Sequence, residues 1–74
     1  MYKKLSEIKV GSTAIIRSLE GLDIKLMEMG CIPGEIVKID NIAPFKDPIS
    51  ITVAGYQLSL RIEEAENIIV EEIL

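Results

Sequence analysis

Turn-forming residues interrupt this sequence at short intervals and limit it to short secondary-structure elements. Helices of ordinary length need about ten or more uninterrupted residues, whereas strands need only four to eight. The spacing therefore favours a compact meander of strands within one domain, residues 1–74. The turn signals are Gly11, Gly30, the Pro33-Gly34 pair, the two-proline loop Ala43–Pro48 and the Ala54-Gly55 pair.

Period-2 alternation of apolar and polar residues predicts three of the strands, whereas Ile15 and Ile16 break it in Thr13–Glu20 and suggest a bulge or a strand buried on both faces. The clearest case is Ile49–Val53, where three aliphatic residues alternate with Ser50 and Thr52, so that one face belongs to a core. The Ala54-Gly55 pair is short enough to join this strand to the next as an antiparallel hairpin. The five predicted strands are Thr13–Glu20, Glu35–Ile42, Ile49–Val53, Tyr56–Arg61 and Ile68–Ile73.

One segment changes to a helical period. Leu22, Leu26 and Met29 recur at i, i+4 and i+7, which predicts a short helix that ends at Gly30. The segment Ile62–Asn67 is too short for an independent helix and predicts a single helical turn. Together these elements predict an all-β fold with one short helix, a small five-stranded SH3-like barrel. An OB-like barrel is the structural alternative.

Composition excludes several functional classes. Eight basic residues against twelve acidic ones give a net charge of −4, which argues against nucleic acid as a partner. Apolar runs are far shorter than the roughly 20 residues that span a bilayer, so no membrane insertion is expected. The single cysteine, Cys31, forms no internal disulfide and suits a reducing cytoplasm. With no histidine in the chain, we expect no enzyme and no catalytic residues.

Two groups of residues resemble metal ligands but favour other roles. In Met27–Cys31, thioether, carboxylate and thiol occur together, yet successive helical positions point in different directions and do not converge on one ion. Buried Met and Cys commonly fill apolar gaps, so we expect Cys31 to be a small buried hydrophobe. The acidic group Glu63–Glu66 lies on a short turn that offers no cage for a cation. We therefore predict no metal-binding or cofactor-binding residues.

Arg61 is the basic residue with the clearest structural role. It stands between two apolar residues, Leu60 and Ile62, which places it over the end of the predicted barrel. Its guanidinium group suits a carboxylate partner, and Asp47 and Glu64 are the two candidates. We favour this structural role over ligand binding.

Three stretches resemble the FeoA family in order and spacing. They are LMEMGCIPGEIV (Leu26–Val37), APFKDPISI (Ala43–Ile51) and LSLRIEEAENIIV (Leu58–Val70). The resemblance implies an SH3-like fold, a cytoplasmic location and association with FeoB, a membrane ferrous iron transporter whose cytosolic part contains a GTP-binding domain. It implies no catalytic residues. Members commonly place glycine just before the Asp-Pro of the second stretch, where this chain has Lys46, so a loop needing positive φ there would be strained or rebuilt.

Without reactive groups, the predicted function depends on the surface. We hypothesise an accessory protein of ferrous iron uptake that binds and modulates FeoB. Its contacts would be apolar groups of the helix region, which cannot all be buried, together with the loop at Phe45 and Lys46. The first alternative is a direct transition-metal carrier or sensor that uses Cys31 and the acidic residues. A weak homo-oligomer is the second. The predicted partner-binding residues are Leu22, Met29, Ile32, Pro33, Phe45 and Lys46.

Overall fold

One six-stranded antiparallel sheet organises the computed structural model, which describes residues 1–21 and 24–73. Its strand order is β1-β6-β2-β3-β4-β5, so that β1 and β5 are the outer strands. Among the described residues, no helix has the length and apolar character to cross a bilayer. The elements are β1 (Tyr2–Lys4), a 3-10 helix (Leu5–Glu7), β2 (Thr13–Leu19), α1 (Ile24–Glu28), β3 (Ile36–Ile42), β4 (Ile49–Val53), β5 (Tyr56–Leu60), α2 (Ile62–Glu66) and β6 (Ile68–Ile73).

Strand β1 adds a sixth strand to the five predicted from the sequence. Its residues, Tyr2–Lys4, are all exposed and show no apolar alternation. They pair with the last strand, for example Lys3 with Val70 and Lys4 with Ile69. Backbone pairing with a distant part of the chain, and not local pattern, therefore makes this segment a strand.

The core is formed entirely by apolar side chains. Every strand except β1 contributes to it, and no polar or charged residue in the described parts of the chain is buried. Leu26 of α1 is fully buried, as the helical period predicts, and so is Cys31, which confirms its predicted role as a small hydrophobe. The core residues are Leu5, Ile8, Ala14, Ile16, Leu26, Cys31, Val37, Ile39, Ile49, Ile51, Val53, Leu60, Ala65, Ile68 and Val70.

A tight hairpin joins β4 to β5. Ala54 and Gly55 both have positive φ, 53° and 82°, and Val53 pairs directly with Tyr56. Positive φ at both central residues is the signature of a type I′ turn, whose twist matches that of antiparallel strands. The predicted two-residue hairpin is confirmed.

The chain reverses between α1 and β3 through the predicted Pro33-Gly34 turn. Gly34 has a φ of 98°, and the Glu35 N–H donates to the Ile32 carbonyl over 3.0 Å. The Gly34 N–H also donates to the Ile16 carbonyl over 2.7 Å. These bonds hold the turn against β2, so that the residues between α1 and β3 have a defined position on the surface.

Candidate functional site

The loop between β3 and β4 projects an aromatic side chain into solvent. Phe45 is 93% exposed, although burying a phenylalanine side chain typically stabilises a protein by about 1.5 to 3 kcal/mol. The loop around it is ordered by two backbone hydrogen bonds: Lys46 N–H donates to the Ala43 carbonyl over 2.7 Å, and Ala43 N–H donates to the Pro48 carbonyl over 3.1 Å. A well-held loop thus presents a large apolar group that the chain itself does not cover.

Next to this loop lies an apolar depression of about 320 Å³. The exposed Val10 and the half-buried Ile42 belong to its lining, together with Lys9 and Lys46. Among residues 1–21 and 24–73, no acidic residue lines it, although the chain as a whole carries a net charge of −4. We call Phe45, Lys46, Lys9, Val10 and Ile42 the loop face.

Asp47 fastens the loop face to the start of α2. Its Oδ1 accepts a hydrogen bond from the Ile62 N–H over 3.2 Å, and its Oδ2 lies 3.7 Å from Arg61 Nη1. The Arg61 N–H in turn donates to Glu64 Oε1 over 2.9 Å, which caps the helix from within its first turn. The predicted ion pair of Arg61 with Asp47 is confirmed. The Asp47 side chain therefore fixes the position of the loop relative to α2.

Lys46 occupies the left-handed region that glycine favours. Its φ is 69°, which brings the Cβ of an L residue close to the backbone and is costly for a residue other than glycine. The sequence predicts that a loop needing positive φ here would be strained or rebuilt. In the structure Lys46 itself has the positive φ, so of the two predicted outcomes the loop is strained.

Replacing Lys46 with glycine is expected to stabilise the fold by about 1 kcal/mol, because glycine adopts positive φ at little cost. Chemical denaturation of the wild type and the K46G variant measures this difference. The matched control is Lys38→Gly in the middle of β3, where glycine is expected to destabilise by about 0.5 to 1 kcal/mol. A destabilised K46G variant would show that the loop does not hold the strained conformation in solution.

A second group of exposed apolar residues surrounds α1. Ile24 and Met27 are exposed on the helix, and Ile32 and Pro33 are exposed in the turn after it, with Ile32 at 45%. Met27 and Pro33 also line a depression of about 240 Å³ beside β2. We call Ile24, Met27, Ile32 and Pro33 the helix face.

The structure divides the predicted partner-binding residues between these two faces. Ile32 and Pro33 precede β3, whereas Phe45 and Lys46 come after it. Seven residues of extended strand span roughly 20 Å, so the two pairs lie towards opposite ends of β3. Met29 is partly buried and packs against the core, which leaves it little exposed surface. The remaining predicted residue, Leu22, lies outside the described residues.

Several residues of the two faces were not among those predicted from the sequence. Val10 and Ile42 belong to the loop face, and Ile24 and Met27 belong to the helix face. Val10 precedes the turn residue Gly11, and a position next to a turn weakly predicts that an apolar side chain is exposed. Ile42 has no such signal, because its half-buried position depends on residues from distant parts of the chain.

Comparison with protein families identifies the type of domain to which the loop face and the helix face belong. The sequence matches the FeoA domain over residues 3–72. The chain belongs to the FeoA family. It is 36% identical, over 71 residues, to the Fe(2+) transport protein A/Fe(2+) transporter FeoB fusion protein of Porphyromonas gingivalis. The match covers 92% of this chain but only 8% of that relative's length.

Solved FeoA structures share the fold. Iron(II) transport protein A from Clostridium thermocellum superposes with a TM-score of 0.91 at 38% identity, over 96% of this chain and 46% of the other. Stenotrophomonas maltophilia FeoA, an SH3 domain protein solved as a zinc complex, superposes with a TM-score of 0.80 at 28% identity, over 96% of this chain and 89% of the other. The predicted SH3-like β fold is confirmed, and the family is linked to ferrous iron transport.

In this FeoA-type chain one acidic residue of α2, Glu64, has structural partners. Glu64 caps Arg61 and also lies 3.6 Å from Lys25 Nζ of α1. Across residues 1–21 and 24–73, no three carboxylate or thiol groups lie close enough together to hold a metal ion.

Proposed function

We propose that this chain is a cytoplasmic accessory protein of ferrous iron uptake, which binds the cytosolic part of FeoB and modulates transport without catalysing a reaction. The observation that carries the proposal is the Porphyromonas gingivalis relative, in which a FeoA-type segment and FeoB share one polypeptide. Such a linkage keeps two domains at high effective concentration and favours pairs that act together.

The loop face is the proposed primary contact. Phe45 supplies an aromatic anchor of the kind that dominates binding energy when it enters a pocket on a partner. Lys46 follows Phe45 in the chain, and Lys46 and Lys9 line the neighbouring depression, so the complementary segment of FeoB would carry an apolar side chain next to carboxylates. The helix face, with Ile32 and Pro33, is proposed as a second contact. Met29 and Leu22 remain predicted members of this contact.

Uptake of radiolabelled ferrous iron by cells that express FeoB tests the proposal. FeoB-dependent uptake is expected to change when this chain is removed and to recover when the wild type is restored. Copurification of the wild type with the cytosolic part of FeoB is expected in parallel. Unchanged uptake together with no copurification would rule the function out.

Anaerobic titration calorimetry with Fe(II) separates this proposal from a metal carrier. We expect no stoichiometric binding at micromolar concentration, because the described carboxylates and the buried Cys31 do not form a cluster. Titration with Mn(II) under the same conditions is the control for weak binding of hard cations by surface carboxylates. Tight binding of one Fe(II) per chain would favour the carrier instead.

A further inference from the structure

Strand β5 leaves one edge of the sheet open. It is the last strand in the sheet order and pairs only with β4. No other residue in the described parts of the chain makes a backbone hydrogen bond to Tyr56–Leu60 along the outer edge. An unpaired strand edge is a template for the addition of another strand.

The hairpin determines which backbone groups face outward. Because a two-residue turn connects Val53 to Tyr56, these residues form a hydrogen-bonded pair, and the pattern alternates from there. Leu58 and Leu60 therefore bond to β4, while the N–H and C=O groups of Gln57 and Ser59 point away from the sheet. The open edge thus offers two donors and two acceptors at fixed spacing.

The chemistry of β5 differs from that of the opposite edge. Strand β1 is three residues long and contains Lys3 and Lys4, a common protection of outer strands against pairing. Strand β5 is five residues long and contains no charged residue, in a chain in which 27% of residues are charged. Along its core-facing side Tyr56 is 67% exposed and Leu58 is only half-buried. A strand added here would cover apolar surface as well as satisfy backbone groups.

We propose that β5 pairs with β5 of a second copy of this chain, antiparallel, around a two-fold axis at Leu58. Gln57 of one copy then faces Ser59 of the other, and each such pair exchanges two hydrogen bonds. The outward groups are self-complementary in this register, and the arrangement closes as a two-fold dimer. The copies each carry a net charge of −4, and this uncharged edge lets them meet without placing like charges in contact.

The dimer is expected to be weak and concentration-dependent. A pair of five-residue strands buries much less than the roughly 1,600 Å² of a standard stable interface. We therefore expect monomers at about 10 μM chain and a substantial dimer fraction at about 1 mM. The interaction does not depend on FeoB, so it is measured on the isolated chain.

Two double variants test both the surface and the register by analytical ultracentrifugation. Gln57 and Ser59 are exposed, so substitution at either position leaves the core intact. In Gln57→Lys/Ser59→Lys, each lysine faces a lysine of the other copy, and we expect dimer affinity to fall at least about tenfold. In Gln57→Lys/Ser59→Glu, each lysine faces a glutamate, and we expect the dimer to persist. Circular dichroism and thermal unfolding verify that both variants fold.

Amide hydrogen exchange in the wild type provides a test without substitution. The amides of Gln57 and Ser59 are expected to exchange several-fold more slowly at about 1 mM than at about 10 μM chain, because only the dimer protects them. A wild type that remains monomeric at the higher concentration would overturn the proposal. So would equal dimer affinity in the two double variants, since the proposed register requires them to differ.

Discussion

The variant Ile51→Ala is expected to lose about 3 kcal/mol of stability, because removing a buried isoleucine side chain leaves a cavity as well as lost apolar contact. Ile51 is fully buried on β4, paired with Ile39 of β3 and Leu58 of β5. A 74-residue domain has a total stability of about 4 to 11 kcal/mol. The substitution therefore removes a large share of what holds the domain together.

Urea denaturation followed by far-UV circular dichroism measures the loss. Ile36→Ala is the matched control, because it is the same chemical change on the neighbouring strand at a residue that is largely exposed. We expect it to cost less than about 1 kcal/mol. Ile51→Val, which removes one methylene, is expected to cost about 0.5 to 1.5 kcal/mol. Equal losses for the two alanine variants would contradict the burial of Ile51.

Replacing Phe45 with aspartate is expected to weaken binding to the cytosolic part of FeoB more than about tenfold, since aromatic anchors in interfaces commonly contribute about 2 kcal/mol or more. The new carboxylate would also meet the acidic segment that Lys9 and Lys46 are proposed to recognise. Phe45 is almost fully exposed, so the fold is expected to keep its stability within about 0.5 kcal/mol. Surface plasmon resonance with immobilised FeoB domain measures the affinity.

Three control variants make this result specific. Phe45→Leu keeps an apolar side chain and is expected to retain most of the affinity. Gln57→Asp adds the same charge to the exposed surface of β5 and is expected to bind like the wild type. Ile32→Asp tests the helix face separately, with an expected loss smaller than that of Phe45→Asp. Wild-type affinity in both the Phe45→Asp and Ile32→Asp variants would eliminate both faces as FeoB contacts.

The strands with a strict local pattern were predictable from the sequence. Ile49–Val53 has the predicted bounds, because its three alternating aliphatic residues are buried and adjacent turn residues limit its length. Ile68–Ile73 also has the predicted bounds, although its sequence, IIVEEI, does not alternate strictly. The two-residue hairpin at Ala54-Gly55 was predictable from its turn residues, whereas its type I′ geometry follows from the positive φ of both residues. Strand β1 was not, because Tyr2–Lys4 carries no apolar alternation and becomes a strand only through its pairing with β6.

The exposure of some residues of the two faces was predictable from the sequence, but the arrangement of the faces was not. Phe45 and Ile32 are exposed, as expected of apolar residues in connections between elements. The two residues are separated by β3, because Ile32 lies in the connection before this extended strand and Phe45 lies in the connection after it. The depression beside Lys46 could not be inferred, because Val10, in the connection before β2, and Ile42, at the end of β3, come together only in the folded chain.

The pairing of β1 with β6 places the two ends of the described chain on adjacent strands, with Tyr2 opposite Glu71. A unit whose entry and exit points are neighbours can be inserted into another polypeptide through short tethers, without pulling its sheet apart. The same geometry permits circular permutation, with a new break in an exposed connection. This portability suits the FeoA type of domain, which in the Porphyromonas gingivalis relative is part of a fusion protein with the transporter FeoB.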